Sequence, residues 1–226
     1  MKSRINCISV GAIETNCWLY PLEDESSGQT PCVVIDPGEE AAKIVSLLGT
    51  LNWVPRYIFL THGHFDHVAA LPDLLKTFSG DTHEAPRVGI HRLDACYLGK
   101  DSLAVHRHSF STAGGNSAYV DGLWKPLPGA DILFEEGDTA GPFRILHLPG
   151  HTPGSVGFYD TQAGILFSGD TLFRGTWGRT DLPGGNVAEV CQSLKRLLSM
   201  KEEIAVCPGH GPATTIGEEM GLLEMI

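Results

Sequence analysis

Residues 62–67 read His-Gly-His-Phe-Asp-His, directly after the apolar run Tyr57-Ile58-Phe59-Leu60. Three imidazoles and a carboxylate so close together are hard to account for by packing. Each is a metal ligand at neutral pH, and together they can serve more than one ion. The run before them predicts a buried strand, and Val68-Ala69-Ala70-Leu71 followed by Leu74-Leu75 is spaced as a helix. The chain is thereby constrained to carry the cluster on a turn at a strand end. There a rigid element holds the residues and the loop lets them converge. Taken alone, Asp66 could instead be the N-cap of the following helix.

The rest of the pattern supplies a frame for that turn. Strands are expected over 4–10, 16–21, 32–36, 56–60, 87–91, 131–134, 143–148, 156–160, 164–168 and 203–207. Helices are expected over 39–49, 67–78 and 187–199, and a hairpin loop over 23–30. This alternation predicts α/β layering. From about 93 to 130 the pattern dissolves, which reads as an insertion within one domain spanning 1–226. Its glycine-bearing stretch 109–117 is expected to be a mobile lid or thiol-carrier contact at the site mouth. His106 and His108 lie far from any strand end, so they are expected to face solvent and take no metal.

Composition narrows the function. The chain is 42% hydrophobic and 19% charged, an ordinary globular balance over its 226 residues. A net charge of −11 makes it a poor partner for nucleic acid. No apolar run approaches a membrane span, and the N-terminus lacks a signal-peptide core. The six cysteines include no C-x-x-C pair and read as reduced, packing thiols in a cytoplasmic setting.

Four further positions match the first cluster in kind. His151 stands on a Pro-Gly turn after strand 143–148, Asp170 just past strand 164–168, His210 just past the last strand, and Asp36 at the end of strand 32–36. In layered α/β sheets such strand ends are where sites form. A lone His in a Pro-Gly turn is usually a surface residue; the recurrence is what points to a shared site.

The H-x-H-x-D-H motif at 62–67, with His151, Asp170 and His210, resembles the metallo-β-lactamase superfamily over nearly the whole chain. The resemblance implies an αββα sandwich with a two-metal site at one edge. It implies that His62, His64 and His151 hold one metal, Asp66, His67 and His210 the other, and that Asp170 bridges. Asp66 and Asp170 are thereby cast as the catalytic carboxylates. Asp36 matches a turn aspartate that supports the site, though capping of the helix from 39 explains it equally well. Residues 167–175 and 178–185 further resemble the single-domain branch of type II glyoxalases, the hydroxyacylglutathione hydrolases. Two-domain members carry a C-terminal helical domain with glutathione-binding basic residues, and only sixteen residues follow His210 here. Arg174, Arg179 or the 93–130 stretch would replace those contacts, with an Arg179–Asp181 ion pair as the competing role for Arg179.

Two divalent ions roughly 3.5–4 Å apart would turn a shared water into hydroxide near neutral pH. A thiolate leaves readily, since thiol pKa values lie near about 8.5. A hydroxyacyl thioester such as S-lactoylglutathione is therefore the expected small-molecule substrate. Zinc is the first expectation, and iron or manganese suits the same ligands. A persulfide dioxygenase would use one iron on His62, His151 and Asp170, leaving the other ligands idle. A secreted β-lactamase would need export, and many have Cys in place of Asp170. A non-catalytic metal-stabilised binding protein would need only four ligands.

Overall fold

In the computed structural model, residues 5–23, 28–80, 84–112, 114–115 and 117–226 are described. Alternation along the strands sorts their side chains onto three interfaces. The first sheet runs in the order β1 (Asn6–Val10), β2 (Thr15–Pro21), β3 (Thr30–Ile35), β4 (Trp53–Phe59), β5 (Arg87–His91) and β6 (Ile132–Phe134). It is antiparallel from β1 to β3 and parallel from β3 to β6. The second comprises β7 (Thr139–Ala140), β8 (Phe143–His147), β9 (Val156–Asp160), β10 (Ile165–Gly169), β11 (Ala205–Pro208) and β12 (Thr214–Thr215), again in chain order. Its one parallel pair is β10 with β11.

Between the sheets Trp18, Tyr20, Val33, Ile35 and Phe59 meet Phe143, Ile145, Phe158 and Phe167. The rings interlock edge to face, as in Tyr20 against Phe143 at 4.8 Å. The opposite faces of the same strands are apolar too. Cys17, Leu19, Cys32 and Val34 pack under α1 (Ala41–Leu51) and α3 (Leu71–Phe78). Leu146, Leu166 and Val206 pack under α6 (Val187–Leu198). Burial on both faces is why these strands read as nearly continuous apolar runs. The result is the αββα sandwich.

Three expectations change. The helix expected over 67–78 is two pieces, α2 (Phe65–Val68) and α3. Pro72 occupies the first turn of α3, where its missing N–H is tolerated, and the Ala70 amide bonds back to Gly38 O at 2.8 Å. The stretch read as structureless from 93 to 130 holds a 3₁₀ helix (Arg92–Tyr97), α4 (Leu103–Thr112) and α5 (Ala118–Leu123). His106, expected in solvent, is buried at 1% exposure, against Phe65, Tyr97 and Trp124. His108 is exposed, as expected. Arg4, Asp24 to Ser27 of the expected hairpin loop, and Ala113 and Asn116 of the 109–117 stretch lie outside the described residues. No helix among the described residues is long and apolar enough to cross a membrane.

Candidate metal centre

Every ligand-type residue singled out above stands just beyond the carboxyl end of a strand. Asp36 follows β3, residues 62–67 follow β4, His151 follows β8, Asp170 follows β10 and His210 follows β11. Seven of these side chains converge in overlapping groups: His62, His64 and His151; Asp66, His67 and His210; with Asp170 joining His62 and His67. Each group draws residues from both sheets.

The geometry shows which atoms face inward. His151 Nε2 lies 3.2 Å from His62 Nε2 and 2.9 Å from His64 Nδ1. His67 Nε2 lies 3.2 Å from His210 Nε2 and 3.5 Å from Asp66 Oδ2. Asp170 spans the two groups, with Oδ1 3.5 Å from His67 Nε2 and Oδ2 3.6 Å from His151 Nε2 and 3.5 Å from His210 Nε2.

The outward nitrogens of His62, His151 and His210 are tied down, whereas that of His64, Nε2, is buried without a hydrogen-bond partner. His151 Nδ1 donates to Arg179 O at 2.7 Å and His210 Nδ1 to Ile13 O at 3.1 Å. His62 Nδ1 lies 3.1 Å from Thr61 Oγ1, whose own proton goes to Asp36 Oδ2 at 2.6 Å. His67 Nδ1 faces that same carboxylate oxygen at 3.1 Å. A ring that donates outward turns a lone pair inward. His62 and His151 thus aim lone pairs at each other, and Asp170 Oδ1 is buried with no hydrogen-bond partner. A cation among them removes that repulsion, so the residues fit a metal.

The field differs across the site. Burial and the neighbouring rings hold His62 and His64 well below the usual imidazole range. Burial also opposes charge on His67, but Asp170, Asp66 and Asp36 outweigh it and hold its pKa up to about 10. Burial of Asp66 is likewise overcome, by His67 and His210, which keep its carboxyl well below the usual range. A site that favours a proton this strongly favours a divalent cation by the same field.

Asp36 caps no helix. Its carboxylate takes the Thr61 amide at 2.8 Å as well as the Thr61 hydroxyl, from a left-handed backbone of φ 51°. Asp66 is not an N-cap either; His64 holds that position and Asp66 sits in the first turn of α2. Arg179 lines the pocket beside the centre, and its guanidinium is engaged by Asp181 at 2.6 and 2.8 Å. Arg174 is exposed and lines no part of that pocket.

Asp94 was missed. It is fully buried and accepts from Gly63 N at 2.9 Å, Thr152 Oγ1 at 2.7 Å and Gly154 N at 2.7 Å. It therefore ties the loop bearing His62 and His64 to the turn bearing His151. The signal was present, since Asp94 stands three residues past β5, at the same sheet edge. Gly209 was also missed: a Cβ there would overlap Asp170 Oδ1 and crowd the His67 ring.

Above the centre lies a pocket of ≈ 560 Å³ whose walls include Ile13, Phe65, His106, Phe110, Phe173 and Leu182.

Residues 10–210 match the family model described as the metallo-beta-lactamase superfamily. The hydroxyacylglutathione hydrolase GloC of Haemophilus influenzae is 35% identical, over 95% of this chain and 94% of that protein. Among solved structures, TTHA1623 in a di-iron-bound form is 38% identical with a TM-score of 0.74, covering 94% of this chain and 96% of that one. BLEG-1 B3 metallo-beta-lactamase is 33% identical with a TM-score of 0.77, covering 96% of each chain.

Proposed function

The chain belongs to the metallo-β-lactamase superfamily, and on that premise we propose that it is a metal-dependent hydrolase of acyl thioesters, with hydroxyacyl thioesters such as S-lactoylglutathione as reference substrates. The observation that carries this reading is the pair of three-residue groups joined by Asp170. His62, His64 and His151 would hold one divalent ion, Asp66, His67 and His210 the other, and Asp170 both. Zinc suits these ligands, and so do iron and manganese. When bound, such ions supply hydroxide at neutral pH and polarise a carbonyl.

The chain's own groups do the rest. Arg179 O and Ile13 O fix the tautomers of His151 and His210, so that Nε2 remains free to bind. Asp36 steadies His67 directly and His62 through Thr61. The wall of Phe65, Phe110 and Phe173 keeps water from the rest of the substrate. The leaving thiolate needs no proton, so no further acid is required of the pocket. All six cysteines are free, which fits a reducing, cytoplasmic compartment.

A second reading has support in the geometry. His151 Nε2 meets both His62 Nε2 and Asp170 Oδ2, a two-imidazole, one-carboxylate set suited to a single iron and persulfide oxidation. His210→Ala separates the two. As a hydrolase the variant should lose one of about two metals per chain and thioester turnover by orders of magnitude. Unchanged iron content, with oxygen uptake on glutathione persulfide reduced only roughly 10–100-fold, decides for the second reading. Ring opening of a β-lactam belongs in the same panel, given the likeness to BLEG-1.

A further inference from the structure

The thioester reading leaves the thiol carrier open, and the pocket's charge pattern bears on it. Arg179 is the only cationic residue lining the pocket among the described residues. Its Nε and Nη2 both go to the Asp181 carboxylate, so the pair presents no net charge. Asp66 and Asp170, the acidic groups in the lining, belong to the metal centre. The rest of the wall carries two uncharged polar side chains, His106 and Ser109, among apolar ones that are braced from behind. Phe110 stacks on Tyr119 at 4.7 Å, and Phe65 stacks on Trp124 at 6.1 Å. Ile13 stands 41% exposed at the rim, a large apolar side chain facing water unless something covers it.

Glutathione carries two carboxylates and one ammonium at neutral pH. Seating it here would strip water from carboxylates that, among the described lining residues, only the Asp181-paired Arg179 could receive. An alkyl or acyl chain meets the opposite situation, because each methylene laid on this wall leaves water for a hydrocarbon surface. We infer that the substrate is an apolar acyl thioester whose thiol carrier bears no carboxylate. This rests on the thioester hydrolase reading, and it makes the glutathione thioester a slow substrate of this chain.

Binding of unreactive thioethers to the metal-loaded protein tests the inference apart from turnover. N-acetyl-S-hexylcysteamine should bind at least about tenfold tighter than S-hexylglutathione. Shortening hexyl toward methyl should weaken binding about fourfold per methylene until the chain clears the wall. Phe110→Ala should flatten that length series. Asp181→Asn, which releases the Arg179 guanidinium, should strengthen S-hexylglutathione binding about tenfold and leave the uncharged thioether unchanged. Tighter binding of the glutathione thioether, no binding of either, or no gain in Asp181→Asn overturns the inference. Matched thioesters separate it from the reading beneath it. If the thioethers rank as expected and no thioester is cleaved, the hydrolase assignment falls while the pocket assignment stands. If glutathione thioesters are cleaved fastest, the reverse holds.

Discussion

The two halves of the candidate metal centre use the same kind of side chain to different electrostatic effect. His62, His64 and His151 form an all-imidazole group, each at 6% exposure or less, with His62 and His64 held neutral by burial. Asp66, His67 and His210 form a group flanked by carboxylates, with the His210 side chain 22% exposed and His67 held strongly basic. The first offers lone pairs without charge and the second offers charge. The difference comes from sequence spacing. His62 and His64 point where β4 ends, while Asp66 and His67 follow on the single turn of α2, beside Asp36 and Asp170. One six-residue motif thus contributes to two groups of unlike charge, and a cation would enter them by different rules.

Removing what the halves share should have the largest effect. Asp36→Ala orphans the Thr61 amide and hydroxyl and frees His67 Nδ1, at about 1–3 kcal/mol for each buried donor left unpaired. Chemical denaturation should show the loss, and elemental analysis should show depletion at both groups. A variant that keeps either group fully loaded would break the symmetry of that support.

Asp94→Ala acts on one half only. Its partners Gly63, Thr152 and Gly154 flank His62, His64 and His151. Stepwise metal titration should weaken one site roughly 10–100-fold and leave the other alone. Equal weakening of both would mean that the halves are not independently supported.

Acidity sharpens the contrast further. Metal binding to the carboxylate-flanked group displaces the proton that His67 holds up to about 10, so affinity there should rise with pH across the neutral range, by up to about tenfold per unit. His62 and His64 carry no proton to displace near neutrality, so they add no such slope to the all-imidazole group. Calorimetric titrations from about pH 6 to 8 distinguish the steeper site from the shallower one; two parallel slopes would erase the distinction.

The smallest effects belong to residues in neither half. His106→Ala should cost about 2–3 kcal/mol from a lost buried ring and leave both metals in place. His108→Ala should change neither stability nor metal content.

Those two histidines also mark where the sequence was legible and where it was not. The site residues announced themselves because Pro, Gly and polar groups interrupt apolar strands at the same edge, a local signal. α4 sent no such signal. The residues it buries include His106 and Ser109, polar types at helical spacing, so apolar periodicity is absent. Asp94 was obscured for the same reason, since it opens a 3₁₀ turn within that unpatterned stretch. Asp36 was legible as a position and not as a role. Capping and ligand support place an aspartate at the same turn, and only its contacts to Thr61 and His67 tell them apart.

Both groups take residues from each sheet: His62, His64, Asp66 and His67 from beyond the first, His151, Asp170 and His210 from beyond the second. A slide of one sheet over the other would pull both groups apart at once. Metal ions held there would therefore clasp the open edge of the sandwich, and the melting temperature would become a gauge of free metal in the surroundings. At a thousandfold excess over the dissociation constant, each ion adds about 4 kcal/mol to the folded state. A cell short of metal would then lose this protein to unfolding as well as to inactivity.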